Sequence, residues 1–519
     1  MQTHFTIFDW TILTSYFFGT MLIGLYFYRK SRTTEGFTAA GRSVPGWAAG
    51  LSILATYLSS ISFLALPGKA YATNWNPFVF SLSLPIATWA AVKFFMPYYR
   101  RSGDVSAYSN LEHRFGPWAR TYASLFFLLT QLARIGAVTY LMAMPMSVLF
   151  GWDIRIIIIV TSITVICYAF IGGILAVIWT DAFQAVVLTT GAVVCAIILM
   201  FGTQGGPKEM FRIAIEHHKF SLGSFGGSLT QSTFWVMLFY GIVMNLQNFG
   251  IDQNYVQRYI VAKSDHEARK SVWLGGLLYV PISLLFFFIG TGLFTYYKTH
   301  PVELNELKTS VATQAMNRDG ITSGSSEYNQ ELERRRQSLS DTDIGDKVFP
   351  YFIGTKLPSG LTGLLIAAIF AAAMSTTASC LNASATLLLT DFYKRYFRKN
   401  ATDRESMFFL YSSTIIWGIL GTIVALLLIR VTSALDAWWT LSGIFGGGML
   451  GLFLLGILCK RAGNIAAISG VILGILLIGV LSVFPHQTGD IHVFLIPVLG
   501  TATILIAGVL VTALFKNKK

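Results

Sequence analysis

Five hydroxyls crowd one apolar stretch, Ala371 to Ser384 (AAAMSTTASCLNAS): Ser375, Thr376, Thr377, Ser379 and Ser384. Ser375 and Ser379 are four residues apart and share a helix face, with Ala372 one turn before them. Hydrocarbon cannot satisfy a hydroxyl, so such groups must meet protein, water or a bound ion. A small-residue face for helix packing is one reading, and an ion site is the other. A second polar gap brings Thr56, Ser59, Ser60 and Ser62 together, just before Pro67 and Gly68. Unwound backbone exposes carbonyls, and neutral carbonyl and hydroxyl oxygens suit a hard monovalent cation. The break near Ala55–Leu58 and the Ser375/Thr376 face could together build one such cage. It would carry no formal charge, which suits Na+ better than a divalent ion.

Two charged residues stand in apolar surroundings. Asp181, in GGILAVIWTDAFQAVVL, reads as the opening of a span. There a carboxylate can cap a helix N-terminus or sit in interfacial water. The alternative is a second cation site shared with Ser375 and Ser379. Arg134 lies in the middle of SLFFLLTQLARIGAVTYLMAMP, too deep to snorkel. An unpaired arginine there costs about 2.5–3.5 kcal/mol on insertion scales. Its planar fork matches a carboxylate, so either an internal acid or a substrate anion must serve it. Few acids lie deep in other spans, which favours the substrate. Lys69 and Lys93 fall nearer span ends and read as interfacial.

The elements that hold these residues are membrane spans. Of 519 residues, 54% are hydrophobic and 12% charged, with mean hydropathy +0.59. Soluble domains carry about 25% charged residues, so a soluble fold is excluded. A ruler of roughly 20 residues per spanning helix marks thirteen spans, near 8–28, 47–73, 77–100, 120–149, 154–173, 178–202, 232–256, 272–296, 359–392, 406–430, 435–459, 462–484 and 491–515. The first has neither a basic leader nor a small-residue cleavage site, so no cleavable signal peptide is expected.

The net charge of +13 is topology rather than a footprint for nucleic acid. Arg29, Lys30, Arg32 and Arg42 follow the first span, and Arg100, Arg101, Arg114 and Arg120 the third. Arg258, Lys263, Arg269 and Lys270 follow the seventh, and Lys394, Arg395, Arg398, Lys399 and Arg404 the ninth. Lys460, Arg461 and the tail Lys516, Lys518 and Lys519 complete the series. This positive-inside pattern puts the N-terminus outside and the C-terminus in the cytoplasm of a cell-membrane protein. Cys167, Cys195, Cys380 and Cys459 lack metal-ligand spacing and read as apolar packers. The histidines lie in loops or near span ends, which gives no support to a buried proton relay. No phosphate-binding loop is evident. The expected partners are therefore lipid, an ion and a small solute, with no obligate protein partner evident.

The seventh span is interrupted like the second, with Asn245, Gln247, Asn248, Gly250, Asp252, Gln253 and Asn254 in its second half. Paired broken helices at matching positions point to a secondary transporter with its site at the midplane. The expected division is a peripheral first span and loop (1–45), a first five-helix repeat (46–202), a second repeat (232–460) and two peripheral C-terminal spans (461–519). Two hydrophilic segments, 203–231 and 297–350, read as external loops, the second either a partly helical surface loop or a lid.

Residues 171–188 (IGGILAVIWTDAFQAVVL), 366–393 (IAAIFAAAMSTTASCLNASATLLLTDFY) and 451–474 (GLFLLGILCKRAGNIAAISGVILG) resemble the corresponding segments of sodium:solute symporters. VPGWAAGLSILATYLSSISFLALPGKAY and ARIGAVTYL resemble the bacterial sialic acid symporters within that family. The resemblance implies an all-α transmembrane, LeuT-like inverted-repeat fold that works by alternating access, a transporter rather than an enzyme. It implies one Na+ held by the carbonyls of Ala55, Leu58 and Ala372 and the hydroxyls of Ser375 and Thr376. Asp181, Ser375 and Ser379 match the additional Na+ site of some members, but Ala378 stands where the two-sodium type has a hydroxyl. Arg134 matches the residue that binds the substrate carboxylate, with Ser59 and Ser62 facing the substrate. Ser81, Asn245 and Gln247 complete the candidate substrate contacts. Tyr57, Pro77 and Ser81 replace the Thr, Phe and Gln expected near the sugar. The expected function is Na+-driven import of a small organic anion, sialic acid foremost. A neutral sugar, a polyol or another carboxylate is the first alternative, and a membrane sensor using 297–350 the remote one.

Overall fold

A computed structural model describes residues 5–28, 33–321, 328–431, 433–483 and 491–516. Arg29, Lys30, Arg32, Lys518 and Lys519 of the charge pattern lie outside the described residues. Among the described residues, ten helices are long and apolar enough to cross a membrane, and one bent pair makes eleven. Two shorter apolar helices, Ile7–Ile23 and Ile154–Cys167, account for the other two of the thirteen expected spans.

The first helix, α1 (Ile7–Tyr28), leads to a broken span made of α2 (Gly46–Tyr57) and α3 (Ile61–Ala72), bent by 56°. Next come α4 (Asn76–Ser102), α5 (Pro117–Phe150) and α6 (Ile154–Gly202). The fifth and sixth spans run together in α6 and turn at Gly173, whose φ of 54° only glycine adopts readily. The second half opens with α7 (Phe234–Ile251) and α8 (Gln253–Val261), followed by α9 (Asp265–Thr299). Its later spans are α13 (Leu361–Leu387), α14 (Asp403–Leu427) and α15 (Ala434–Leu458), with α16 (Asn464–Val483) and α17 (Ile496–Lys516) beyond. Three outer helices precede α13: α10 (Pro301–Arg318), α11 (Tyr328–Ser338) and α12 (Asp341–Lys356). The 297–350 segment is therefore largely helical where it is described.

Short polar residues make both breaks. At the first, Leu58 leaves the helix (φ −77°, ψ 92°) and the Ser59 hydroxyl accepts the Ile61 amide at 3.2 Å. At the second, Asp252 is extended (φ −74°, ψ 126°) and its carboxylate accepts the Asn254 amide at 2.8 Å, capping α8. A side chain that offers the backbone an acceptor competes with helix continuation. α9 packs along both halves of the first broken span, and α13 is wedged between α6 and α5 and also touches α2. Close approach needs glycine: a Cβ at Gly290 of α9 would stand 2.3 Å from the Pro67 carbonyl oxygen.

Candidate functional site

The two breaks meet around a small cavity lined by Tyr57, Ser59 and Ser62 of the first broken span, Arg134 of α5, Asn248 of α7 and Trp438 of α15. Its free space is about 60 Å³, room for a few waters and far less than a sugar acid needs. Arg134 is buried, with its guanidinium 5.8 Å from the Trp438 ring centre. Its Nη2 donates to the Thr56 carbonyl at 2.6 Å, one of the groups freed where α2 ends. Asp252, at the other break, contributes to the electrostatic environment of Arg134, so an internal acid does exist nearby, contrary to the sequence argument. Among the described residues, however, no carboxylate pairs with that guanidinium directly.

Ser59, Ser62 and Ser81 lie at the cavity wall. Ser62 Oγ donates to the Tyr57 carbonyl at 3.0 Å, and Ser81 Oγ shares a hydrogen bond with Ser283 Oγ at 2.7 Å. Asn245 and Gln247 do not line the cavity. Asn245 is fully buried, donating to the Phe80 carbonyl (2.9 Å) and Ser83 Oγ (2.8 Å) while accepting from the Tyr57 hydroxyl. Gln247 faces α15, where a Cβ on Gly446 would meet its Nε2 at 2.0 Å. The cavity face of α7 is instead Tyr240, Met244 and Asn248, one residue every fourth position. That spacing is readable in the chain, and counting it from Tyr240 would have selected Asn248.

Where α2 ends, the carbonyls of its last turn, Ala55 among them, lose the amides that a continued helix would supply. α13 packs against this end with Ala372, Ser375 and Thr376 all buried. Thr376 Oγ1 is buried and has no hydrogen-bond partner. A buried hydroxyl without a partner costs about 1–3 kcal/mol, so this oxygen is poised for a ligand. Neutral oxygens from two elements, one of them an orphan, are what a Na+ cage requires.

Asp181 stands elsewhere than the sequence reading put it. The sixth span begins at Gly173, so Asp181 is two turns inside the helix, fully buried, and neither caps an end nor meets interfacial water. Its carboxylate accepts from Ser375 Oγ, from Ser52 Oγ at 2.5 Å and from Arg258 Nη2 at 2.9 Å. Ser379 Oγ accepts from the same Nη2 at 2.9 Å. Arg258, counted from sequence among cytoplasmic loop charges, is fully buried on α8. Sequence reasoning missed it because a polar half-helix of nine residues looks like the loop after a span.

Comparison with known proteins follows this geometry. The sodium:solute symporter family model matches residues 37–474. The chain is 34% identical over 525 residues to the sodium/sialic acid symporter SiaT of Proteus mirabilis (strain HI4320), covering 100% of this chain and 98% of that protein. It is 33% identical to the sodium/sialic acid symporter NanT of Aliivibrio fischeri (strain ATCC 700601 / ES114), covering 98% and 94%. A solved substrate-bound, outward-open Na+-coupled sialic acid symporter superposes with a TM-score of 0.84 at 32% identity, over 98% of each chain. The hydantoin-bound transporter Mhp1 shares the fold, with a TM-score of 0.54 at 15% identity. A family match over most of the chain, full-length relatives and a shared helical architecture place this multi-pass membrane protein in the sodium:solute symporter family, with Na+ as its coupling ion.

Proposed function

We propose that this chain imports a sialic acid, N-acetylneuraminate in the first instance, with Na+ by alternating access. One observation carries the reading. Arg134 is buried at mid-membrane, faces the cavity between the two breaks and lacks a paired carboxylate among the described residues. The substrate carboxylate would bind this guanidinium by sharing or displacing its contacts with the Thr56 carbonyl and the Tyr255 hydroxyl, with Ser59, Ser62 and Ser81 supplying hydroxyls and Asn248 replacing Asn245 and Gln247. Sodium would bind the carbonyls of Ala55, Leu58 and Ala372 and the hydroxyls of Ser375 and Thr376. Its charge would hold the frayed end of α2 in the form that shapes the substrate wall. The sialic acid specificity of the two bacterial relatives supports this assignment. The two five-helix halves, 46–202 and 232–460, would rock about this centre, with the N-terminus outside and the C-terminus in the cytoplasm.

A smaller carboxylate is the second reading, favoured by the tight cavity in which Tyr57 fills space. A human sodium-coupled monocarboxylate transporter 2 is 27% identical over 91% of this chain. Uptake of labelled N-acetylneuraminate into proteoliposomes, under an inward Na+ gradient against matched choline, decides between them. Na+-dependent uptake supports the sialic acid reading. Uptake of short monocarboxylates alone would replace it.

A further inference from the structure

The Asp181, Ser375 and Ser379 cluster already holds a cation. Arg258 reaches it from α8, the second half of the broken seventh span, and four of its N–H groups are used. Nε donates to Ser52 Oγ at 2.8 Å, Nη1 to the Asn254 carbonyl at 2.7 Å, and Nη2 to both Asp181 Oδ2 and Ser379 Oγ at 2.9 Å. Arg258 and Asp181 are both fully buried, so neither charge is screened by water. A second metal cation here would compete for the same oxygens and face a guanidinium within a few ångströms, in a medium where like charges repel strongly. Position 378, between Ser375 and Ser379, is alanine and offers no side-chain oxygen.

We propose that this cluster is a socket for the Arg258 guanidinium, which stands where a second sodium would bind, so that one Na+ accompanies each substrate. The inference rests on the reading of Ser375 and Thr376 as Na+ ligands. It also gives Asp181 a role. The carboxylate accepts the hydrogen bond of the Ser375 hydroxyl and so leaves that oxygen's lone pairs free for the Na+ cage on its other side. Asp181 is thus a positioning residue for the one sodium, and Arg258 balances its charge. One Na+ moving with a monoanion carries no net charge, so a membrane potential contributes nothing to accumulation.

The test measures ²²Na+ and labelled N-acetylneuraminate influx into the same proteoliposomes, with a potassium-diffusion potential of either sign. The expected flux ratio is one, with accumulation unmoved by the potential. A ratio of two, with accumulation rising about 50-fold per 100 mV, would overturn the proposal. Sodium sites are also counted without substrate, from the Na+ dependence of thermal unfolding of the purified protein. A Hill coefficient of one is expected, and a value approaching two would overturn the proposal even if another anion proves to be the solute. Failure of N-acetylneuraminate uptake with a single-site Na+ response would refute only the substrate assignment. Arg258→Met opens the socket and should raise that coefficient above one, whereas Arg258→Lys should leave it at one. A folded Arg258→Met protein with a single-site response would show that the guanidinium is not what excludes the second ion. If that variant does not fold, the wild-type flux ratio and Hill coefficient still decide the sodium count.

Discussion

Arg134 is buried without a paired carboxylate among the described residues, and Thr376 Oγ1 is buried without a hydrogen-bond partner among them. Losing one partner of a buried charge pair costs about 2–5 kcal/mol, so Arg134→Ala should lower kcat/KM for N-acetylneuraminate at least about 30-fold in initial-rate uptake. Arg134→Lys keeps the charge but loses the fork, and should recover only part of that loss. Uptake that tolerates Arg134→Ala would point to a neutral solute. Thr376→Val keeps the shape and removes the orphan oxygen. It should raise the Na+ concentration for half-maximal uptake about tenfold, equivalent to about 1.4 kcal/mol, with the maximal rate at saturating Na+ largely kept. Thr377→Val removes a neighbouring hydroxyl that also lacks a partner but points a third of a turn away, and should leave the Na+ response unchanged. Equal shifts in the two variants would remove Thr376 from the cage.

At the scale of elements, the broken spans matter because their halves can move while their neighbours stay packed. α9 supports α3 through aromatic pairs such as Phe63 with Phe286 and through a close backbone contact that Gly290 permits. Gly290→Ala forces its Cβ against the Pro67 carbonyl and should destabilise the protein by about 1–3 kcal/mol, read as a lower Tm in detergent, with slower uptake. Gly479→Ala, in α16 with nothing within 4 Å of the added carbon, should be neutral or slightly stabilising. Similar losses at both positions would mean that helix propensity, not contact, dominates. On the cytoplasmic side of the proposed topology, the chain just before α2 is joined to the end of α8 by main-chain bonds between Val44 and Val261 (3.1 Å) and between Lys263 and Val44 (3.0 Å). This two-bond bridge and the Arg258 socket hold the two inner half-helices together.

For the whole molecule, a second space of about 540 Å³ adjoins the small cavity and shares Pro77 and Trp439 with it. In the wall of this second space, Lys69 of α3 pairs with Asp436 of α15 at 2.7 Å, so Lys69 is a bridging residue rather than a merely interfacial one. Asp346 of α12 stands beside this pair and accepts the Ala434 amide at 2.9 Å, capping α15. Burial pushes the Asp346 carboxyl up to about 6, opposed by the Ala434 amide and reinforced by Asp436. Between the ordinary value of 3.8 and about 6 the folded protein therefore holds a proton that the unfolded chain has released. That contribution is complete below pH 4, is lost as pH rises towards 6, and is absent above. Asp346→Asn keeps the acceptor without the charge, and should match wild type near pH 4 and exceed it in stability at pH 7 by up to about 3 kcal/mol, read as a higher Tm. Parallel Tm curves for the two proteins would show that Asp346 is not buried as a charge.

Much of the fold was legible because hydrocarbon imposes a length and a polarity on every crossing. Thirteen apolar runs, two interruptions and a hydroxyl-rich face specified an all-α transporter, and Arg134, Ser375 and Thr376 could be singled out from depth and spacing alone. Pairing across elements could not be read. Whether Asn245 or Asn248 faces the cavity depends on the rotation of α7 about its axis, which its neighbours set. Asp181 read as a span end because Gly173, where the helix turns, lies inside an unbroken apolar run. Arg258 read as a loop charge because its burial exists only once α8 folds back among α2, α6 and α13. The sequence by itself determined which groups could not remain alone in a membrane. The tertiary structure decided which of them satisfy one another and which, among the described residues, do not, because that pairing depends on contacts between residues far apart in the chain.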